Sequence, residues 1–411
     1  MSIERLNAAL VREVAALERE GRAKAPERII SGYVPPSGER GPRYRLRGRD
    51  GEFIRMNSNS YLSLSHHPEV LEAADRASRT FGAGPGAVRF IDGTSTPHAD
   101  LEERIADFVG RPAARIFNSA YTAILGLGLT LAGPDTWWIG DELNHNCIIR
   151  SMRIAGVPRE QRAIFRHNDV ADLRRCLEAV PPAAGRVIVI FDGIFSMRGD
   201  NAPLREIAAA VADHDARFRD GVITVMDDSH GVGAYGRTGR GTEEHCGARA
   251  DVLVGTFGKA FGVNGGFIAG SPELIEAVRQ KADTYIYTNP LGAADCAAAV
   301  KAVEIADGPE GAARLAALAD RTARFRQGLA DLGYESIPGP HPVVPLLVRD
   351  TGRVRAMVRG LFDRGILAVG LTYPVVPRGD ETIRFQINAA HTRADIDEVL
   401  AALRDLRTPG A

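Results

Sequence analysis

A lysine and an aspartate each follow a short apolar run that is typical of a buried β-strand. The run Val222–Met226 ends at Asp227, with His230 three residues later, and the run Asp251–Val254 precedes Lys259. A lysine that burial holds uncharged can bond covalently to an aldehyde. Pyridoxal 5'-phosphate (PLP) needs such a lysine, an acid for its pyridinium nitrogen, and hydroxyl and backbone donors for its phosphate. The chain offers all three, so this pattern indicates a PLP site.

Most lysines in loops are exposed to solvent, so the residues around Lys259 must indicate whether it differs from them. Gly258 and Gly262 allow close approach of the backbone. Phe257 and Phe261 are unusual neighbours for a merely solvated charge. These neighbours favour a reactive role for Lys259.

Several other polar residues also follow apolar runs. His145 and Ser196 come shortly after such runs and should lie near the same edge of a sheet, and the segment 117–122 precedes a small helix that could bind phosphate at its N-terminus. Each has an alternative role, because such a histidine is often a structural hydrogen-bonding group and a serine can be an ordinary helix cap. Arg384 lies among apolar neighbours and is suited to bind a substrate carboxylate.

A glycine pattern at Gly231–Gly236 matches the dinucleotide-binding motif, but its context does not. Residues 227–230 separate it from the preceding strand, and a further glycine-rich loop follows it in place of a helix. Asp251 also begins an apolar run, whereas the ribose-binding acid ends one. We therefore do not expect a nicotinamide enzyme.

The overall composition excludes several classes of function. A net charge of −1 over 411 residues gives no electrostatic basis for binding nucleic acid or a membrane surface. The sequence has neither the apolar core of a signal peptide nor an apolar stretch of about 20 residues. The cysteines lie far apart, without metal-ligand spacing: Cys147, Cys176, Cys246 and Cys296. We expect a cytoplasmic protein with free thiols and no metal site.

The order of elements predicts an α/β fold. Residues 1–64 contain an amphipathic helix and a β-hairpin pattern, with strands over 43–47 and 52–56. Residues 65–290 alternate short apolar runs with helical stretches, which predicts a large domain with a mostly parallel central sheet. Residues 291–411 are predicted to form connecting helices and a smaller α+β domain.

Taken together, these segments resemble the α-oxoamine synthases, which are PLP-dependent transferases of fold type I. The resemblance extends from about Asn57 to Thr392, and within the family it is strongest to the glycine C-acetyltransferase branch. The matching motifs are Asn59–Leu62, Gly93–Thr94, Leu143–His145, Phe195–Met197, Asp227–His230, Thr256–Lys259 and Tyr373–Pro377.

The resemblance implies a role for each matching residue. Lys259 would bond to the cofactor and remove the α-proton of the amino acid, Asp227 would pair with the pyridinium nitrogen, and His145 would stack on the ring and assist proton transfer. The implied contacts are His230 and Ser196 to the phenolic oxygen, Thr256 and the amides of Ala120 and Tyr121 to the phosphate, Asn59 and Arg384 to the substrate carboxylate, and Thr288 and Asn289 to the phosphate of a neighbouring subunit.

The implied activity is the condensation of a small amino acid with an acyl-CoA in a homodimer, followed by decarboxylation. Glycine and acetyl-CoA are the favoured pair. However, Ala120 and Tyr121 replace a Cys-Phe pair of that branch and Pro290 replaces a serine, so another acyl donor remains open. Aldol cleavage, transamination and a non-catalytic partner subunit are the alternatives. Retention of Lys259 and Asp227 argues against the last.

Overall fold

The computed structural model of the chain describes residues 2–373 and 376–407. Pro374 and Val375, which belong to the Tyr373–Pro377 motif, therefore lie outside the described residues. The chain divides into two compact units: one is Asn59–Ala319, and the other combines the residues before and after that range. None of the described helices is both long enough and apolar enough to cross a bilayer.

The described elements are as follows, in chain order. The helices are α1 (Ser2–Arg19), α2 (Pro68–Phe81), α3 (Thr96–Phe108), α4 (Ala120–Leu131), α5 (Asn146–Ile154), α6 (Val170–Ala179), α7 (Leu204–Ala212), α8 (Thr242–Cys246), α9 (Pro272–Lys281), α10 (Asp283–Ile286), α11 (Ala293–Asp307), α12 (Pro309–Asp331), α13 (Thr351–Asp363) and α14 (Arg393–Asp405). The strands are β1 (Ile30–Val34), β2 (Arg43–Leu46), β3 (Ile54–Arg55), β4 (Ala113–Phe117), β5 (Thr136–Asp141), β6 (Arg162–Phe165), β7 (Arg186–Asp192), β8 (Val222–Asp227), β9 (Val252–Thr256), β10 (Gly266–Gly270), β11 (Val343–Leu347), β12 (Ile366–Leu367), β13 (Val369–Leu371) and β14 (Thr382–Gln386).

The unit Asn59–Ala319 is built on a seven-stranded sheet in the order β4-β10-β9-β8-β7-β5-β6. Strands β5 to β9 are parallel, and β10 runs antiparallel between β9 and β4. This confirms the predicted α/β fold with a mostly parallel central sheet. Strand β6 was not predicted.

The central strands are continuous apolar runs because both of their faces are covered. Residues 187–191 of β7 are almost fully buried, and so are residues 252–254 of β9. Since β5, β7, β8 and β9 run in one direction, their carboxyl ends meet at one edge of the sheet. The last residues of these strands are Asp141, Asp192, Asp227 and Thr256. The fold therefore concentrates polar side chains at that edge.

The other unit contains an antiparallel sheet in the order β11-β14-β13, together with α13 and α14. Strand β1 pairs with β2, and β3 pairs in parallel with β12. The two strands predicted as a hairpin meet at one antiparallel bridge, between Tyr44 and Phe53. Strand β2 pairs along its length with β1 instead.

Candidate active site

A cavity of about 220 Å³ lies at the carboxyl edge of the large sheet, within the unit Asn59–Ala319. Its lining contains eight of the residues predicted from the sequence: Ala120, Tyr121, His145, Ser196, Asp227, His230, Thr256 and Lys259. Ser119, Cys147, Asp192, Ile194 and Ser229 complete the lining. The structure thus brings together side chains that are as many as 140 positions apart in the chain (259 minus 119).

The four other predicted residues do not belong to the described lining of this cavity. Asn59 lies in the segment before α2, with its Oδ1 atom 3.4 Å from the hydroxyl of Tyr61. Thr288 and Asn289 follow α10, and the carbonyl of Asn289 accepts a hydrogen bond from the side chain of Asn118. Arg384 is a buried residue of β14, in the other unit.

Lys259 is half-buried in the loop that follows β9. Phe257 and Phe261, on either side of it, are fully buried and hold the loop against the core. Gly262 has a φ of +72°, and a Cβ atom there would come within 2.7 Å of the amide nitrogen of Ser65. The expected close approach of the backbone is therefore present at Gly262. The apolar anchors and the glycine together hold the lysine at the cavity.

Asp227 and Asp228 are consecutive acids at the end of β8, with different surroundings. Asp227 lines the cavity and accepts a hydrogen bond from the amide of Ser229 at 3.1 Å. Asp228 is fully buried and accepts hydrogen bonds from the amide and hydroxyl of Thr242, both at 2.7 Å. Burial raises the pKa of Asp228 to about 7. Because successive side chains of a strand point to opposite faces, only Asp227 reaches the cavity.

His145 is held in place at the start of α5. Its backbone N–H donates to Oδ2 of Asp192 at 2.8 Å, and its Nδ1 atom accepts from the amide of Cys147 at 3.3 Å. Burial lowers the pKa of His145. The negative charge of Asp227 raises this pKa and the positive charge of Lys259 lowers it, and the net shift is downward. A neutral imidazole that accepts at Nδ1 carries its proton on Nε2. His145 can therefore donate a hydrogen bond through Nε2.

The N-terminus of α4 forms a further part of the cavity wall. Ser119 caps this helix by accepting a hydrogen bond from the amide of Thr122 at 3.1 Å. The first amides of a helix have no acceptor within it, and they carry the positive end of the helix dipole. Those of Ala120 and Tyr121 are thus suited to bind an anion. Gly266 of β10 permits this placement, because a Cβ atom there would overlap the amide nitrogen of Ala120.

Tyr61, Cys147 and Asp192 are among the residues at the site that were not assigned a role from the sequence. Tyr61 places its hydroxyl 2.7 Å from Nδ1 of His230. Cys147 lies beside His145, with its Sγ atom 3.8 Å from Oδ2 of Asp227. Asp192 ends β7, and its position at a strand end was the signal that could have identified it. Burial, followed by the charge of Asp227, raises the pKa of Asp192 well above its usual range.

The donor set fits PLP group by group. Lys259 offers an amine for the aldehyde, and Asp227 offers a carboxylate for the pyridinium nitrogen. Hydroxyls for the phosphate and the phenolic oxygen come from the serines, and amides come from the start of α4. The hydroxyl of Thr256 also lines the cavity, and here it donates to the carbonyl of Gly265 at 2.9 Å. The cavity is smaller than the roughly 300–1,000 Å³ of sites that take drug-sized ligands. It therefore suits a small cofactor.

Known proteins resemble this chain over most of its length. Residues 51–403 match the family described as aminotransferase class I and II. An 8-amino-7-oxononanoate synthase of Geobacter metallireducens is 37% identical, over 95% of this chain and 96% of its own. The mitochondrial 2-amino-3-ketobutyrate coenzyme A ligase of Homo sapiens is 35% identical, over 98% of this chain and 92% of its own.

Solved structures also share the fold of this chain. Serine palmitoyltransferase of Sphingomonas wittichii superposes with a TM-score of 0.86 at 28% identity, covering 97% of this chain and 96% of its own. A structure of SPT with a PLP internal aldimine gives the same values. The relatives carry different names at similar identity, so the comparisons define a family and not one substrate. The chain belongs to the aminotransferase class I and II family and, within it, to the α-oxoamine synthases.

Proposed function

We propose that this protein uses PLP to join a small amino acid to the acyl group of an acyl-CoA, with release of CoA. The product is a 2-amino-3-oxo acid or, after loss of its carboxylate as CO₂, an α-amino ketone. The observation that carries the proposal is the convergence of Lys259, Asp227 and His145 on one small cavity. An amine, an acid and a neutral imidazole are the groups this chemistry requires.

We assign the residues of the cavity to separate chemical groups of the cofactor. Lys259 would bond to its aldehyde carbon, and Asp227 would keep the pyridinium nitrogen protonated. His230 and Ser196 would donate to the phenolic oxygen. Thr256 and the first amides of α4 would hold the phosphate, where the helix dipole favours negative charge.

Bound PLP supplies an electron-accepting ring that stabilises negative charge on the α-carbon of an attached amino acid. The amino group of the substrate would displace Lys259 from the aldehyde carbon, and the freed amine of Lys259 would take the α-proton. The α-carbon then forms a bond with the thioester carbonyl carbon, the carbon–sulfur bond breaks, and CoA leaves as a thiol after taking up a proton. His145, with its proton on Nε2, donates to the thioester oxygen as that oxygen gains negative charge.

The names of the relatives support this reaction class. 2-Amino-3-ketobutyrate and 8-amino-7-oxononanoate both carry a ketone next to an amino-bearing carbon, which is the product pattern of acyl transfer to an α-carbon. We take glycine and acetyl-CoA as the first pair to test, with other small amino acids and longer acyl groups as alternatives. Asn59 and Arg384 are the proposed ligands of the substrate carboxylate.

The test is free-thiol release by cofactor-loaded protein across a matrix of glycine, alanine and serine against acetyl-CoA and longer acyl-CoAs. We expect release that requires both an amino acid and an acyl-CoA. Mass analysis of the product shows whether the carboxylate is retained or lost. Thiol release with a pair other than glycine and acetyl-CoA would support the proposed reaction and identify a different pair of substrates.

Two variants make the matrix decisive. Lys259→Ala should abolish thiol release, whereas Lys281→Ala, which alters a lysine bonded to the carbonyl of Thr130, should not. Turnover of an amino acid without acyl-CoA would contradict the proposal and favour aldol cleavage or transamination. A loaded protein that is inactive across the matrix would also contradict it and favour a non-catalytic role.

The proposed assembly is a homodimer in which Thr288 and Asn289 reach the phosphate of the partner's site. Complementation tests this directly. We expect Lys259→Ala and the double variant Thr288→Ala/Asn289→Ala to be inactive separately and to regain activity when co-expressed, because a mixed dimer contains one intact site. Failure of the mixture to regain activity, with both variants folded, would contradict the shared site.

A further inference from the structure

His167 links two loops that each supply a residue to the candidate active site. It lies in the turn between β6 and α6, with 15% of its side chain exposed. Its Nδ1 atom is 3.1 Å from Oδ1 of Asp141, and its Nε2 atom is 3.1 Å from Oδ2 of Asp200. A single imidazole therefore contacts carboxylates that are 59 residues apart in the chain (200 minus 141).

The first of these loops leads to His145. Asp141 is the last residue of β5, and its carboxylate accepts hydrogen bonds from the amides of Leu143 at 2.8 Å and Asn168 at 2.9 Å. His167 adds a bond from its own amide to Oε1 of Glu142 at 2.9 Å. The turn that contains His167 thus holds the segment that ends at His145 from outside the cavity.

The second loop, residues 193–202, carries Ser196. Its ends meet in a bridge between Ile194 and Asn201, and the amide of Phe195 donates to the carbonyl of Asp200 at 3.0 Å. The rings of His167 and Phe195 pack edge to face, with centroids 4.4 Å apart. His167 therefore touches this loop at a carboxylate and at the residue next to Ser196.

We propose that His167 is a positioning residue, which fixes His145 and Ser196 against the cofactor by bridging Asp141 and Asp200. It reaches neither the cofactor nor the substrate and acts through the two loops. The inference rests on the proposed function, since it assumes that the cavity holds PLP.

The charges around His167 are consistent with this role. Burial opposes its charge, but the hydrogen bonds to Asp141 and Asp200 outweigh that effect and raise the pKa of His167 to about 9. The groups around the ring are these two carboxylates, the side-chain amide of Asn168 at 3.3 Å from Nε2, and the Arg198 guanidinium bonded to Asp200, while the carboxylate of Glu142 accepts from the backbone amide of His167. A cation between two acids holds both loops more firmly than a neutral ring does.

His167→Asn removes the bridge, and His67→Asn is its matched control. His67 has a similarly buried side chain, 11% exposed, bonded to the single carboxylate of Glu310, and it does not line the cavity. PLP is titrated into cofactor-depleted protein, and its dissociation constant is read from visible absorbance. We expect His167→Asn to weaken PLP binding roughly tenfold or more, and His67→Asn to leave it within twofold of wild type.

A double-variant cycle separates positioning from general destabilisation. If His167 acts through Ser196, adding Ser196→Ala to His167→Asn should weaken PLP binding by less than the product of the two single effects. Effects that multiply fully, or a His167→Asn protein that binds PLP as wild type does, would overturn the inference. If His167→Asn does not fold, Asp200→Asn in the same cycle replaces it. PLP binding by the wild-type protein is measured before any variant is tested. A wild-type protein that fails to bind PLP would overturn the proposed function itself.

Discussion

The hydroxyl of Tyr61 lies between His230 and Asn59, 2.7 Å from Nδ1 of the first and 3.4 Å from Oδ1 of the second. The resemblance assigned His230 to the cofactor and Asn59 to the substrate carboxylate. Tyr61 is fully buried and connects the two. Its hydroxyl therefore couples the orientation of a cofactor ligand to that of a substrate ligand.

Tyr61→Phe should lower activity by up to about tenfold while leaving the fold intact. The variant keeps the buried ring but removes the hydroxyl that lies 2.7 Å from His230 Nδ1, and the loss of one hydrogen bond costs about 0.5–1.5 kcal/mol. Steady-state kinetics and thermal unfolding measure the two effects. Tyr334→Phe is the control, because it removes a hydroxyl bonded to the carbonyl of Leu403. Equal activity losses in the two variants would contradict the role given to Tyr61.

Gly266→Ala should weaken PLP binding, because the new methyl group would overlap the amide nitrogen of Ala120 at the start of α4. Forcing atoms into a packed site costs about 1–3 kcal/mol, and here the strain falls on the proposed phosphate site. Gly270→Ala is the control on the same strand, since its methyl group would crowd only the flexible end of Leu274 and would lie at an ordinary 3.5 Å from the carbonyl oxygen of Asp251. Titration of PLP into both variants makes the comparison. Equal affinities would show that the start of α4 does not bind the phosphate.

Much of this site could be predicted because parallel strands end at one edge. Asp227, His145 and Ser196 each follow an apolar run, and the sheet brings these run ends together whatever lies between them in the chain. Because successive side chains of a strand point to opposite faces, the two neighbouring acids Asp227 and Asp228 can also be expected to have different surroundings.

Other features depend on contacts that no local pattern reveals. Tyr61 and His230 are 169 positions apart, and nothing near Tyr61 marks it as a buried hydrogen-bonding group. Strand β6 is short, and its Ile164 is 64% exposed, so it lacks the buried apolar run that identified its neighbours. The pairing of β3 with β12 joins Ile54 to Ile366 and is equally hidden in the sequence.

The glycine pattern that resembles a dinucleotide motif has a packing explanation at each position. A Cβ atom at Gly231 would overlap the carboxylate of Asp228, one at Gly233 would crowd the side chain of Ala260, and one at Gly236 would crowd the carboxylate of Glu244. Burial raises the pKa of Asp228 from an ordinary 3.8 to about 7. The folded protein therefore binds a proton between these pH values that the unfolded chain releases, and stability from this residue declines as pH rises through the window.

Asp228→Asn should remove that dependence. The free energy of unfolding of the variant minus that of wild type should increase as pH rises from about 4 to 7, because only wild type loses stability in this window. Urea unfolding at a series of pH values measures it. Asp213→Asn, at a carboxylate that is 61% exposed, should show no such trend. Parallel curves for wild type and Asp228→Asn would contradict the assignment of a buried, proton-binding Asp228.

The central claim is that PLP bonds to Lys259, and the scarcity of lysine in this chain makes it directly testable. The only lysines in the sequence are Lys24, Lys259, Lys281 and Lys301. Borohydride reduction of the holoenzyme makes the cofactor linkage permanent, and peptide mapping by mass spectrometry then locates it. We predict a modification at Lys259 and at none of the other three, and its loss in Lys259→Ala. A modification at another lysine, or none in a protein that shows the visible absorbance of bound PLP, would contradict the account.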